Sequence, residues 1–99
     1  MRINLPHNTS KENARRIIEQ KLDQLQGQYS DYVNDVDKQW SGDVLAFNVK
    51  AKGLTGKGTV EITDTEVILD GKLPLLAKPF EPRIRATVEQ EATQLFKKA

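Results

Sequence analysis

The stretch LAFNVKA, residues Leu45–Ala51, places an apolar side chain at every second position, beginning with Leu45, Phe47 and Val49. Successive side chains of a β-strand point to opposite faces of a sheet, so this period of two predicts a strand with one buried face. The residues between them are small or polar, as expected for the outer face. This is the clearest strand in the sequence.

Similar strands are predicted on both sides of Leu45–Ala51. The strand before it carries the apolar residues Tyr32, Val36 and Trp40. Of the two strands after it, the first carries Val60 and Ile62 and the second carries Val67 and Leu69. The connecting turns fall at polar and glycine-containing positions: Ser41-Gly42-Asp43, Lys52-Gly53 and Asp64-Thr65. Such short connections predict a meander of four antiparallel strands.

Two glycines interrupt one predicted strand face. Gly56 and Gly58 share that face with Leu54, Val60 and Ile62. A strand glycine marks a place where another group approaches the backbone closely. We expect a helix to use this shallow spot, with a bound ligand as the less favoured interpretation.

An additional strand and a helix are predicted before the meander. Ile3 and Leu5 alternate with polar residues in a short strand that Pro6 ends. Thr9 or Ser10 can cap the helix that follows, and Thr9 with Glu12 has the spacing of a capping box. Gly27 is expected to end this helix. The helix carries an apolar stripe at helical spacing: Ala14, Ile17, Ile18, Leu22 and Leu25.

A second helix is predicted at the end of the chain. It begins near Glu81-Pro82 and carries a long apolar stripe: Ile84, Val88, Ala92, Leu95 and Phe96. The element order is therefore β-α-β-β-β-β-α. We predict a single α+β domain over residues 1–99, with an antiparallel sheet of about five strands and two helices packed on one face.

Composition narrows the class of protein. The chain has 99 residues, 37% hydrophobic and 29% charged, with a net charge of +1 and no cysteine. These values are typical of a globular domain in a reducing compartment, so the expected location is the cytoplasm. No apolar stretch reaches the length of a signal peptide core or a membrane-spanning helix, and neither secretion nor membrane spanning is expected.

Two groups of residues have side chains that could form a reactive or metal-binding site. His7 with Ser10 could form a base and a nucleophile, but Ser10 is better explained as a helix cap. Asp31, Asp35 and Asp37 could bind a hard cation, but their spacing matches no calcium loop and favours a solvated strand face. We predict no catalytic residue, no metal site and no cofactor.

Two further motifs have compositions similar to nucleotide or nucleic-acid sites. Gly53–Thr59 contains glycines around Lys57, but a phosphate-binding P-loop requires Ser or Thr after the lysine and a helix beyond it. Lys50, Lys52 and Lys57 could lie together near Phe47 or Trp40 and bind single-stranded nucleic acid. Aromatic residues are few and nearby acids balance the lysines, so nucleic-acid binding is not expected.

The most unusual segment links the sheet to the last helix. LPLLAKPFEP, residues 73–82, holds three prolines among Leu73, Leu75, Leu76 and Phe80, a composition that favours neither a regular strand nor a regular helix. Leu75, Leu76 and Phe80, here called the apolar link, either close the core or form an exposed binding patch. We select these three as the candidate binding residues.

Three segments lie in a characteristic order along nearly the whole chain: Ile3–Asn8 (INLPHN), Gly53–Ile62 (GLTGKGTVEI) and Leu73–Phe80 (LPLLAKPF). In these segments the sequence resembles a small bacterial family of polyhydroxyalkanoic acid system proteins. It implies a connection with the proteins that make, coat or degrade bacterial polyester storage granules. It does not imply an enzymatic activity.

The resulting hypothesis is a non-enzymatic accessory protein that binds the polyhydroxyalkanoate granule surface, or a granule-associated protein, in the cytoplasm. The alternative is a carrier or sensor of a small apolar ligand held between sheet and helices, as in helix-grip folds. An undetected hydrolase is the least favoured. An exposed edge strand would also allow a homodimer.

Overall fold

A computed structural model describes residues 1–31, 35–51 and 54–97, without the side chain of Ala51. The strands are β1 (Arg2–Pro6), β2 (Asp35–Ser41), β3 (Val44–Ala51), β4 (Leu54–Ile62) and β5 (Glu66–Lys72). The α-helices are α1 (Lys11–Gln28) and α2 (Glu81–Lys97), and a 3₁₀ helix spans Leu75–Phe80. The predicted order and α+β class are confirmed. Tyr32, Lys52 and Gly53, used in the predictions above, lie outside the described residues.

The five strands form one antiparallel sheet in the order β1-β5-β4-β3-β2. Leu45 lies beside Trp40 on one neighbouring strand and beside Val60 on the other. Val60 in turn lies beside Leu69, which pairs with Ile3. This register brings one apolar residue from each strand into a row on the same face, as the period of two predicts.

Both helices pack on that face and on each other. The buried residues are Ile3, Ala14, Ile18, Leu45, Val60, Ile62, Val67 and Phe96. All except Ile3 form one continuous cluster, with Trp40, Phe47 and Leu69 packed against it. Leu45 on the sheet and Ala14 on α1 are 1% and 0% exposed, so the two layers meet closely at this point.

The start of α1 differs in detail from the prediction. Ser10 is the N-cap, and its hydroxyl accepts a hydrogen bond from the Asn13 amide at 3.0 Å. The Thr9 hydroxyl instead accepts from the Asn13 side chain. The predicted capping box of Thr9 with Glu12 is therefore wrong, because Asn13 engages both hydroxyl groups. The helix also continues past Gly27 to Gln28 before it ends.

Lys11 ties the start of α1 to the sheet. Its ammonium group lies 3.0 Å from the Asp43 carboxylate and 3.7 Å from that of Asp64, and these two residues are on different loops. The hydrogen bond and charge of Asp43, with a further contribution from Asp64, raise the pKa of Lys11. The pair is solvent-exposed, so we regard it as a contact that orients the helix and adds little stability.

The space above Gly58 is filled by a different group from the one predicted. We expected a helix above Gly56 and Gly58, but the ring of Phe47 covers Gly58. A Cβ atom at position 58 would lie 2.6 Å from Phe47 Cζ and 2.7 Å from the Asp70 carbonyl oxygen, whereas one at Gly56 would meet nothing within 4 Å. The glycine therefore admits a side chain of the neighbouring strand, which the register places directly beside it.

Candidate functional site

The apolar link lies in the 3₁₀ helix between β5 and α2. Pro74 precedes this helix with an extended backbone, and Pro79 lies inside it. The Ala77 amide donates to the Pro74 carbonyl at 2.9 Å, and the Glu81 amide donates to the Lys78 carbonyl. A proline lacks an amide hydrogen and excludes a longer α-helix, so a short 3₁₀ helix satisfies the backbone that remains. The segment was expected to be irregular, but Leu75–Phe80 forms a short 3₁₀ helix.

All three side chains of the apolar link are exposed. Leu75, Leu76 and Phe80 have 79%, 74% and 60% of their surface accessible to solvent. The other large exposed hydrophobic residues of the described chain, Tyr29 and Leu54, are 46% and 39% exposed. Burial of such a side chain is worth roughly 1.5–3 kcal/mol, and the folded chain leaves most of this free energy unused here. Core closure, the first interpretation of these residues, does not describe them.

The N-terminus fixes the two ends of the link. The Met1 ammonium donates to the Gly71 carbonyl at 3.0 Å, and the Gly71 amide donates to the Met1 carbonyl at 2.8 Å. The same ammonium lies 3.6 Å from the Glu81 carboxylate, at the start of α2. The exposed side chains are thus carried by a short segment that is anchored on both sides.

His7, the only histidine, has a structural environment. It is fully buried, with Nε2 2.8 Å from the Thr63 carbonyl oxygen and Nδ1 accepting from the Thr9 amide at 3.1 Å. The carbonyl can only accept and the amide can only donate, so Nε2 carries the proton and Nδ1 does not. Neither nitrogen is available to Ser10, whose hydroxyl caps α1. Sequence reasoning did not predict this buried structural role.

The other candidate motifs lie on strands. Leu54–Ile62 is β4, so Lys57 is in a strand and not at the mouth of a helix, which confirms the interpretation against a P-loop. Asp35 and Asp37 are exposed on β2, and Asp31 lies in the turn before it. Across the described residues no group of three or more His, Cys, Asp or Glu could hold a metal ion.

The sheet face opposite the helices is open and forms a concavity of about 770 Å³. Its lining combines apolar surface with these polar and charged residues: Asp37, Lys38, Gln39, Asn48, Lys57, Thr59, Asp70 and Lys72. Within the described chain, the buried Oδ1 atom of Asn48 receives no hydrogen bond. Sequence reasoning did not identify this concavity, because its lining residues come from four different strands, β2 to β5.

These features define a class: a small α+β domain whose most distinctive surface is an exposed apolar link. The protein belongs to the family described as "Putative polyhydroxyalkanoic acid system protein", whose model matches residues 1–96. The resemblance seen in the sequence is thereby confirmed. No curated protein and no solved structure matches this chain. In the part of the chain that is described, no helix is long and apolar enough to cross a membrane.

Proposed function

We propose that this protein is a non-enzymatic accessory protein of the polyhydroxyalkanoate system. In this proposal the apolar link binds the surface of the polyester storage granule or a protein on that surface. The observation that carries the proposal is the exposure of Leu75, Leu76 and Phe80, at 79%, 74% and 60%. Exposed apolar residues grouped along one segment are typical of a binding site.

The anchoring of the link supports a binding role. A segment that becomes ordered only on binding loses conformational entropy at that step, which weakens the complex. Here the Met1 ammonium holds both Gly71 and Glu81, at 3.0 and 3.6 Å, so the segment between them is already constrained. Folding therefore already restricts the segment that carries the three side chains, so binding causes a smaller loss of conformational entropy.

The proposal is tested by isolating granules from polymer-producing cells and measuring how much protein sediments with them. We expect the natural chain to sediment with granules. The variant Leu75→Ser/Leu76→Ser/Phe80→Ser should lose at least about tenfold in affinity, because the loss of apolar contact exceeds 1.4 kcal/mol.

Leu54→Ser provides the matched control for this experiment. Leu54 is also an exposed leucine, at 39%, but it lies at the start of β4 outside the link. This variant should sediment like the natural chain. Absence of the natural chain from granules under every growth condition would contradict the proposal, as would equal binding by the triple variant.

The alternative of a carrier for a small apolar ligand has less support. It needs an apolar cavity between sheet and helices, where Ala14, Leu45 and Phe96 are at most 3% exposed and belong to one packed cluster. The concavity described above lies on the opposite face, and its lining combines apolar surface with charged residues such as Asp37, Lys57 and Asp70. A ligand bound there would lie outside the space between sheet and helices that this hypothesis requires.

The proposed location is the cytoplasm, at the granule. A homodimer would use an edge strand, and β1 and β2 form the two edges of the sheet. Strand β2 carries Asp35, Asp37 and Lys38, and charged side chains on an edge disfavour uncontrolled pairing. Binding through the apolar link does not require a dimer.

A further inference from the structure

The positive charge of the protein is concentrated around the apolar link. The segment 72–85, here called the basic apolar segment, has four basic residues, Lys72, Lys78, Arg83 and Arg85, and one acidic residue, Glu81. Its net charge is thus +3, while the whole chain carries +1, so the other 85 residues together carry −2. Apolar exposure and positive charge therefore coincide in the same 14 residues.

Most of this charge is not neutralised within the protein. Arg85 pairs with Glu89 at 3.0 Å, and the carboxylate of Glu81 faces the Met1 ammonium. The remaining three, Lys72, Lys78 and Arg83, are exposed. The ion pairs of the described chain include none of them. Lys78 and Arg83 lie within three positions of Phe80 along the chain, and neither has an ion-pair partner among the described residues.

We propose that the basic apolar segment docks on an anionic lipid surface. The proposal rests on the granule-binding function above and names the chemistry of the surface that is bound. Leu75, Leu76 and Phe80 would enter the boundary between headgroups and acyl chains, while Lys78 and Arg83 of the same segment contact lipid phosphates. Apolar insertion together with basic residues is the pattern by which peripheral proteins bind anionic membranes.

The shape of the segment favours a lipid layer over a protein groove. The three apolar side chains are each at least 60% exposed on a 3₁₀ helix of six residues, so they project outward from the protein. A lipid layer accommodates projecting side chains without a preformed pocket. An acidic protein partner would need a cleft shaped to the helix, and the experiment below separates the two.

The test measures co-sedimentation with vesicles of phosphatidylcholine, with and without phosphatidylglycerol. We expect binding to the anionic vesicles, weak binding to the neutral ones, and release by high salt. Lys78→Gln/Arg83→Gln should reduce the affinity for anionic vesicles roughly 25-fold, at about fivefold for each basic residue removed. The triple serine variant of the apolar link should lose binding to both kinds of vesicle.

Lys11→Gln/Arg16→Gln is the matched control, because it removes the same charge from the first turns of α1. Lys11 contacts Asp64, which precedes β5, whereas the basic apolar segment begins at the other end of that strand. The affinity of this variant should stay within about twofold of the natural chain, since its charges lie away from the docking segment. An equal loss in both double variants would show that only net charge matters and would overturn the proposed orientation. Thermal unfolding of each variant verifies that it is folded.

The outcomes distinguish this inference from the proposed function. Binding to granules without binding to anionic vesicles would overturn the lipid inference and leave granule binding intact. Loss of granule binding after granule proteins are stripped, with no vesicle binding, would identify a protein partner and also overturn it. Failure to bind either granules or vesicles would overturn both proposals.

Discussion

The turn around His7 and the apolar link place their side chains in opposite ways. His7 is polar and fully buried, whereas Leu75 and Leu76 are apolar and 79% and 74% exposed. Each region lies beside a proline, Pro6 in one and Pro74 in the other. Residue polarity alone would predict the reverse of both placements.

The two regions differ in whether their side chains find partners inside the folded chain. Both ring nitrogens of His7 have backbone partners, at 2.8 and 3.1 Å, so this residue completes its bonding inside the folded chain. The apolar link leaves most of its surface in water and gains little from folding. A satisfied buried polar group indicates a structural role, and an exposed apolar group indicates a partner outside the chain.

Within the two compared regions, the largest loss of stability is expected when His7 is replaced. His7→Ala removes the partners of the Thr63 carbonyl and the Thr9 amide and leaves a cavity. Each unsatisfied buried group costs about 1–3 kcal/mol, so we expect the free energy of unfolding to fall by about 3–4 kcal/mol. Urea denaturation followed by circular dichroism measures this change.

His7→Gln is the control for the hydrogen bond to Thr63. Its side-chain amide can donate to that carbonyl, so it should recover at least about 1 kcal/mol relative to His7→Ala. A loss below about 1 kcal/mol in His7→Ala would contradict the structural role of this histidine.

A smaller effect is expected at Gly58, in the packed part of the sheet. Gly58→Ala places a Cβ atom 2.6 Å from Phe47 Cζ and 2.7 Å from the Asp70 carbonyl oxygen. The ring can move but the backbone oxygen cannot easily do so, and such overpacking should lower the free energy of unfolding by about 2 kcal/mol. Thermal and urea unfolding of the purified variant measure the loss.

Gly56→Ala is the matched control on the same strand. A Cβ atom at Gly56 would meet no atom within 4 Å, so this variant should be neutral or gain about 0.4–1 kcal/mol through a less flexible unfolded chain. Equal effects at both positions would show that the ring of Phe47 does not fill the space above Gly58.

Sequence patterns predict the elements of this fold because those patterns are local. The alternation in Leu45–Ala51 and the stripe from Ile84 to Phe96 each report which face of one element is buried. Both elements are present, and Phe96 lies in the core. Their order then limits the sheet to a few topologies, of which a meander is the simplest.

The features that sequence reasoning missed depend on residues far apart in the chain. His7 is buried because its ring meets the carbonyl of Thr63, 56 positions later. Gly58 is needed because the register places Phe47 beside it. For the candidate site, the composition of the link selected Leu75, Leu76 and Phe80, but composition alone left open whether they close the core or are exposed, which only the packing of the whole chain decides.

The smallest effect on stability is expected in the apolar link. Phe80→Ala removes a side chain that is 60% exposed, so the free energy of unfolding should change by less than about 1 kcal/mol. Phe96→Ala is the reference, because the same residue type is 3% exposed there and its loss should cost about 3–5 kcal/mol. Urea denaturation of the two variants compares them directly. A cost above about 2 kcal/mol for Phe80→Ala would mean that folding already uses this side chain, and the apolar link would then have little free energy left for binding a surface.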